Sequence, residues 1–76
     1  MKKETFLSEI SEILLLENPC NEDEILNDFE EWDSLAKMSV MTFFNNNWGI
    51  SFTMNDMNNL VTVKDLINMA GDNIDE

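Results

Sequence analysis

Histidine is absent from this chain, cysteine and proline occur once each, and glycine occurs twice in 76 residues. Each scarcity removes a class of chemistry. Without histidine, a nucleophilic serine or cysteine has no ordinary base beside it. With a single cysteine as well, a zinc site is effectively excluded. Gly49 and Gly71 cannot form a glycine-rich loop to cradle phosphate, and neither sits among the alternating acids of a calcium loop. Cys20 has no partner for an internal disulfide, and a lone thiol fits a reducing compartment. Positive charge is equally scarce: 4 basic residues face 16 acids, for a net charge of −12. Such a chain repels phosphate backbones and anionic lipids, so neither nucleic acid nor a membrane surface is an expected partner. No apolar run approaches the ~20 residues of a membrane span. Lys2 and Lys3 lead into a stretch broken by Glu4, Glu9 and Glu12, unlike a signal peptide. A cytoplasmic location is expected.

What is present points to a small helical domain. Residues 1–76 suffice for one domain, and the 43% hydrophobic content with so little glycine favours a folded, helix-rich chain. A core of this size is marginal, because such a chain buries only about 60% of its surface. A substrate pocket would consume much of that core, so binding, carrying or adaptor roles are favoured over catalysis. Phe6, Leu7, Ile10, Ile13, Leu14 and Leu15 predict an amphipathic helix over 4–16, ended by Asn18 and Pro19. A long acidic connection, 17–33, follows. It has room for a helical turn near Glu24–Asn27, a capping pair between Asn21 and Glu24, and apolar residues Ile25, Leu26, Phe29 and Trp32 folded back on the core.

A second helix is predicted from Ser34 to Asn47, stopped by the asparagine run and Gly49. Its apolar residues, Leu35, Ala36, Met38, Val40, Met41, Phe43 and Phe44, spread around most of the circumference. Either this is a central core helix, or it shows a second apolar face to a partner. Beyond it, Thr53 with Asp56 and Thr62 with Asp65 are spaced as capping boxes for a short helix and a last helix that Gly71 would end. "WGISF" could instead be a strand, but it has nothing to pair with. The tail "DNIDE" is expected to fray. Of the methionines, Met38, Met41, Met54, Met57 and Met69 are expected mostly in the core, with an adaptable docking surface as the alternative. Trp32 and Trp48 are expected as core anchors, and Cys20 as incidental.

Ser34 is the residue that raises a chemical question. Asp33 or Ser34 serves well as a simple N-cap. However, the serine lies at a helix start, after a long acidic loop, in a small acidic chain of helices. "EEWDSLAKMSVM" resembles the attachment motif of the acyl carrier proteins, and the order of the other helices, "WGISF" and "VTVKDLINMAG" agrees along nearly the whole chain. The resemblance implies an all-α fold: a four-helix bundle of three longer helices and a short one, with a long first loop. It implies that Ser34 carries 4′-phosphopantetheine, with Asp33 and Leu35 completing the motif. A separate phosphopantetheinyl transferase would install the arm, and its thiol would carry cargo as a thioester. The chain would then be a non-catalytic carrier, expected as a monomer, serving acyl- or aminoacyl-loading and acyl-transfer enzymes.

One departure from the family qualifies this. Fatty-acid carriers usually bear acids along the second helix, whereas here no acid occurs between Ser34 and Asn55. The acids gather upstream, at Glu22, Asp23, Glu24, Asp28, Glu30, Glu31 and Asp33. A specialised pathway of the fatty-acid or polyketide type is therefore expected, with partners that engage Glu30, Glu31, Lys37, Met38 and Met41. Phe43, Phe44, Trp48 and Phe52 would fill the space where the family shelters an acyl chain, which suits short or polar cargo. An aminoacyl carrier and an unmodified acidic adaptor are the alternative functions.

Overall fold

A computed structural model describes residues 1–75. Four α-helices make up the chain among them: α1 (Lys3–Ile13), α2 (Ser34–Trp48), α3 (Met54–Asn58) and α4 (Val63–Ala70). Two 3-10 turns, Leu26–Asp28 and Gly71–Asn73, complete the regular structure. There is no strand among the described residues, only two isolated bridges, Lys2 with Asp75 and Ile25 with Thr62. The strand alternative for "WGISF" is thereby answered: residues 50–53 are an irregular connection between α2 and α3.

Helix α1 stops at Ile13, earlier than its apolar pattern predicts. The chain turns back on itself there by two bonds, Leu16 N to Ser11 O at 2.9 Å and Leu15 N to Glu12 O at 3.1 Å. This closure needs a left-handed residue, and Leu15 supplies it with φ 57° although it is not glycine. Phe6, Ile10 and Leu14 form the fully buried stripe of this helix.

The acidic connection is held at two places. Ser11, buried on α1, donates its hydroxyl to Leu7 O at 2.6 Å and accepts the Cys20 amide at 2.8 Å. Cys20, itself buried, is thus a tie between loop and helix, not the incidental residue expected. Further along, Leu26 N donates to Val61 O at 2.9 Å and Val63 N to Glu24 O at 3.0 Å. These bonds place the 3-10 turn against the head of α4. The Asn21–Glu24 pair is half formed: the Asn21 amide donates to the Glu24 carboxylate at 2.8 Å. Leu26 and Trp32 are buried and Phe29 is half-buried, but Ile25 departs from expectation and stays exposed. Its bridge partner Thr62 fixes the backbone so that the next residue, Leu26, takes the inward position.

In α2 the inward stripe is Ala36, Val40 and Phe44, spaced by four. Phe44 centres an aromatic group: its ring lies 5.9 Å from Phe6, 5.3 Å from Trp48 and 5.2 Å from Phe52. Phe43 joins at 5.9 Å from Phe6. Five rings therefore fill the space around the carboxyl half of α2. Gly49, with φ 67°, ends the helix, its amide bonded to Asn45 O at 2.8 Å. Both capping boxes form: Thr53 with Asp56 opens α3, and Thr62 with Asp65 opens α4. Met57 is fully buried, Met41, Met54 and Met69 are half-buried, and Met38 is exposed.

The tail contradicts the expected fraying over 72–75, while Glu76 lies outside the described residues. Ile74 is buried. The Asp75 amide donates to Met1 O at 2.7 Å, and Lys3 N donates to Asp75 O at 3.1 Å. The two ends are joined because an apolar residue at 74 gains burial only if the chain returns to α1.

Candidate functional site at the head of the second helix

The turn before α2 is wound tightly. Trp32 N bonds to Phe29 O at 3.1 Å and Asp33 N to Glu31 O at 2.8 Å. With the Trp32 ring buried, this winding leaves Glu30, Glu31 and Asp33 exposed. Asp33 is the N-cap: its Oδ1 accepts the Ala36 amide at 2.9 Å, and its carbonyl accepts Lys37 N at 3.0 Å.

Ser34 is the first helical residue, not the cap. Its side chain is exposed, and its hydroxyl has no hydrogen-bond partner among the described residues. The Asp33 side chain satisfies one of the four amides that a helix start leaves open, that of Ala36, and the amide of Asp33 itself is bonded to Glu31 O. The amides of Ser34 and Leu35 remain free to face an acceptor from outside. The positive end of the helix dipole adds to this preference for negative charge. Division of labour between neighbours follows: the aspartate caps, and the serine is left available.

Along α2, the side chains that follow Ser34 are apolar and cationic. Leu35 is 73% exposed and Met38 is 54% exposed, one turn apart on the outer face. Lys37 extends toward the end of α3, where Nζ donates to Asn58 Oδ1 at 2.9 Å, and it lies 5.8 Å from the centre of the Trp32 ring. Farther along α2 the exposed residues are Ser39, Thr42, Asn45, Asn46 and Asn47, all neutral. Met41 is half-buried and borders a shallow hollow of about 250 Å³ with Thr42, Asn45, Ser51 and Phe52. Of the residues the sequence nominates, Ser34, Leu35, Lys37 and Met38 thus gather at one end of α2, with Glu30, Glu31 and Asp33 on the turn beside them. Met41 sits one turn farther along.

Sequence reasoning missed Asn58, the anchor for Lys37, and Val61, an exposed apolar residue just ahead of the α4 cap. For Val61 a signal existed, since it stands outside the helical pattern. For Asn58 none did. Among the described residues no group of three or more acids or cysteines is placed to hold a metal ion. No helix among them is long and apolar enough to cross a membrane. Compared with known proteins, the chain matches no protein-family model, no curated protein and no solved structure.

Proposed function

We propose that this chain is a carrier of the acyl-carrier type, a small helical bundle that bears 4′-phosphopantetheine on Ser34. The observation that carries the reading is the free, exposed Ser34 hydroxyl at the first position of α2, behind a neighbour that has taken over capping. The surroundings fit a phosphodiester. The Ser34 and Leu35 amides lack acceptors, α2 carries no acid, and Lys37 lies one turn on. The charges of Glu30, Glu31 and Asp33 on the preceding turn oppose it, and Oδ1 of Asp33 is engaged by the Ala36 amide.

The arm, when bound, supplies a terminal thiol for thioester carriage. Ser34 contributes only the oxygen: it bonds to the coenzyme A phosphorus that bears the pantetheine, the pyrophosphate bond at that phosphorus breaks, and adenosine 3′,5′-bisphosphate leaves. The proton it gives up goes to a group on the transferase. Asp33 holds the helix start rigid, so that Ser34 is presented in one orientation. A role of this kind needs no enclosed pocket, which suits a 76-residue chain.

The aromatic packing around Phe44 supports short or polar cargo held outside the core. Chemical-shift changes at Phe6, Phe44 and Phe52 on loading a long acyl chain would count against it. An aminoacyl cargo fits the same arrangement. The competing reading is an unmodified acidic adaptor, supported by the net charge of −12. Intact mass after incubation with coenzyme A and a broad-specificity phosphopantetheinyl transferase separates them. A carrier gains one phosphopantetheine on the wild type and none on Ser34→Ala, whereas an adaptor gains none on either.

A further inference from the structure

No charged residue occurs from Met38 to Asn55, although 26% of the chain is charged. Burial does not account for the gap. Ser39, Thr42, Asn45, Asn46, Asn47 and Ser51 are all exposed within it, so this part of the surface is polar and neutral on a molecule of net charge −12.

The hollow of about 250 Å³ lies inside this neutral stretch. Half-buried Met41 and Phe52 give it an apolar lining, and exposed Thr42, Asn45 and Ser51 give it a hydrogen-bonding rim. Asn45 Nδ2 donates to Ser51 Oγ at 3.3 Å, which joins α2 to the connection that follows it. The Thr42 hydroxyl and the Asn45 side-chain carbonyl have no hydrogen-bond partner among the described residues. The larger hollows, of about 510, 540 and 440 Å³, each have charged side chains in their lining and no residue of α2.

Met41 and Asn45 follow Ser34 by seven and eleven residues, close to two and three whole turns, so all three share one face of α2. Eleven residues rise about 16 Å along the axis. Phosphopantetheine spans thirteen bonds from phosphorus to sulfur, about 15 Å at the reach per bond of an extended chain. The hollow is therefore within reach of a thioester tethered at Ser34, whereas packed rings occupy the interior around Phe44.

Resting on the carrier reading of Ser34, we propose that Met41, Thr42, Asn45, Ser51 and Phe52 form a surface site for the cargo itself, and that this cargo is a short, uncharged acyl group bearing a hydroxyl or carbonyl. A carboxylate or ammonium placed there loses hydration and finds no opposite charge among residues 38–55. The site thus separates cargoes that the arm alone would carry equally. A hydroxyacyl group gains hydrogen bonds at the rim, a plain acyl group gains apolar contact only, and malonyl or aminoacyl groups gain neither.

The test is NMR of the labelled whole chain after a broad-specificity transferase has loaded Ser34 from 3-hydroxybutyryl-, butyryl-, malonyl- or β-alanyl-coenzyme A, each product confirmed by intact mass. Relative to the chain bearing the unacylated arm, the 3-hydroxybutyryl form is expected to shift the Met41 methyl, the Asn45 side-chain amide and the Ser51 backbone amide, with the Phe6 ring unmoved. The butyryl form is expected to move the Met41 methyl alone, and the malonyl and β-alanyl forms none of these signals. Thr42→Val with Asn45→Leu, both at exposed positions, is expected to load fully and to lose the hydroxybutyryl shifts at Met41 and Ser51. Shifts confined to residues 33–37 in every loaded form, equal shifts with the charged cargoes, or a moved Phe6 ring would overturn this proposal and leave the carrier reading standing. A well-folded wild type that gains no mass would overturn both.

Discussion

At the scale of single residues, Leu15 is the least expected feature of the chain. It is 82% exposed and holds a left-handed conformation that costs a leucine about 1–2 kcal/mol. Glycine at this position removes that cost but adds about 0.4–1 kcal/mol of unfolded-chain entropy. Leu15→Gly should therefore stabilise the protein by about 0.5–1 kcal/mol, read as a higher urea midpoint with unchanged slope. Cys20 behaves in the opposite way, as a residue the fold depends on. Burial pushes its thiol above the ordinary value, against a smaller opposing effect of the Ser11 hydroxyl. A raised pKa means that the folded state holds the proton more tightly. Its stabilising contribution is thus complete below the unfolded thiol range, near pH 8.5, and is lost as pH rises through the folded value. The urea midpoint should fall between pH 8 and pH 10, and fall less in Cys20→Ala. At pH 7.5 a thiol reagent should label the native protein far more slowly than the unfolded one.

At the scale of elements, what was legible in the sequence is what local chemistry decides. The two capping boxes, the α2 start at Asp33–Ser34 and its stop at Gly49 all form where their spacing places them. Each depends on bonds between residues no more than four apart. The end of α1 was misplaced because its left-handed residue is a leucine, which carries no sequence signal for that role. The exposure of Ile25 and the burial of Ile74 were illegible for a different reason. They depend on pairings across most of the chain, such as Ile25 with Thr62 and Lys2 with Asp75. The apolar circumference of α2 left two readings open: Ala36, Val40 and Phe44 are core, while Leu35 and Met38 are exposed, and whether a partner covers them is not decided by the fold. The α4 cap offers a direct check. Thr62 accepts the Asp65 amide at 3.3 Å, and Asp65 Oδ2 accepts the amides of Val61 and Thr62 at 2.9 and 3.0 Å. Thr62→Ala should cost about 1 kcal/mol in urea unfolding. The bonds from Thr62 and Val61 also lower the Asp65 pKa, so its support is present above the ordinary carboxylate range and disappears as pH falls through the folded value.

At the scale of the whole molecule, a very acidic chain closes its ends upon each other, fills its aromatic interior and leaves Ser34, Leu35 and Met38 exposed at the head of α2. Glu30, Glu31 and Asp33 stand exposed on the turn just before them. None of these features needs the others for the fold, since the core stripe of α2 is formed without Ser34, Leu35 or Met38. Their placement together is what a carrier requires, because every enzyme that acts on the cargo must dock beside the same serine. Intact mass after incubation with coenzyme A and a broad-specificity transferase tests this account most directly, on wild type and Ser34→Ala side by side. The account predicts one phosphopantetheine on the wild type and none on the variant. A well-folded wild type that gains no mass, with transferases of both narrow and broad specificity, would contradict it.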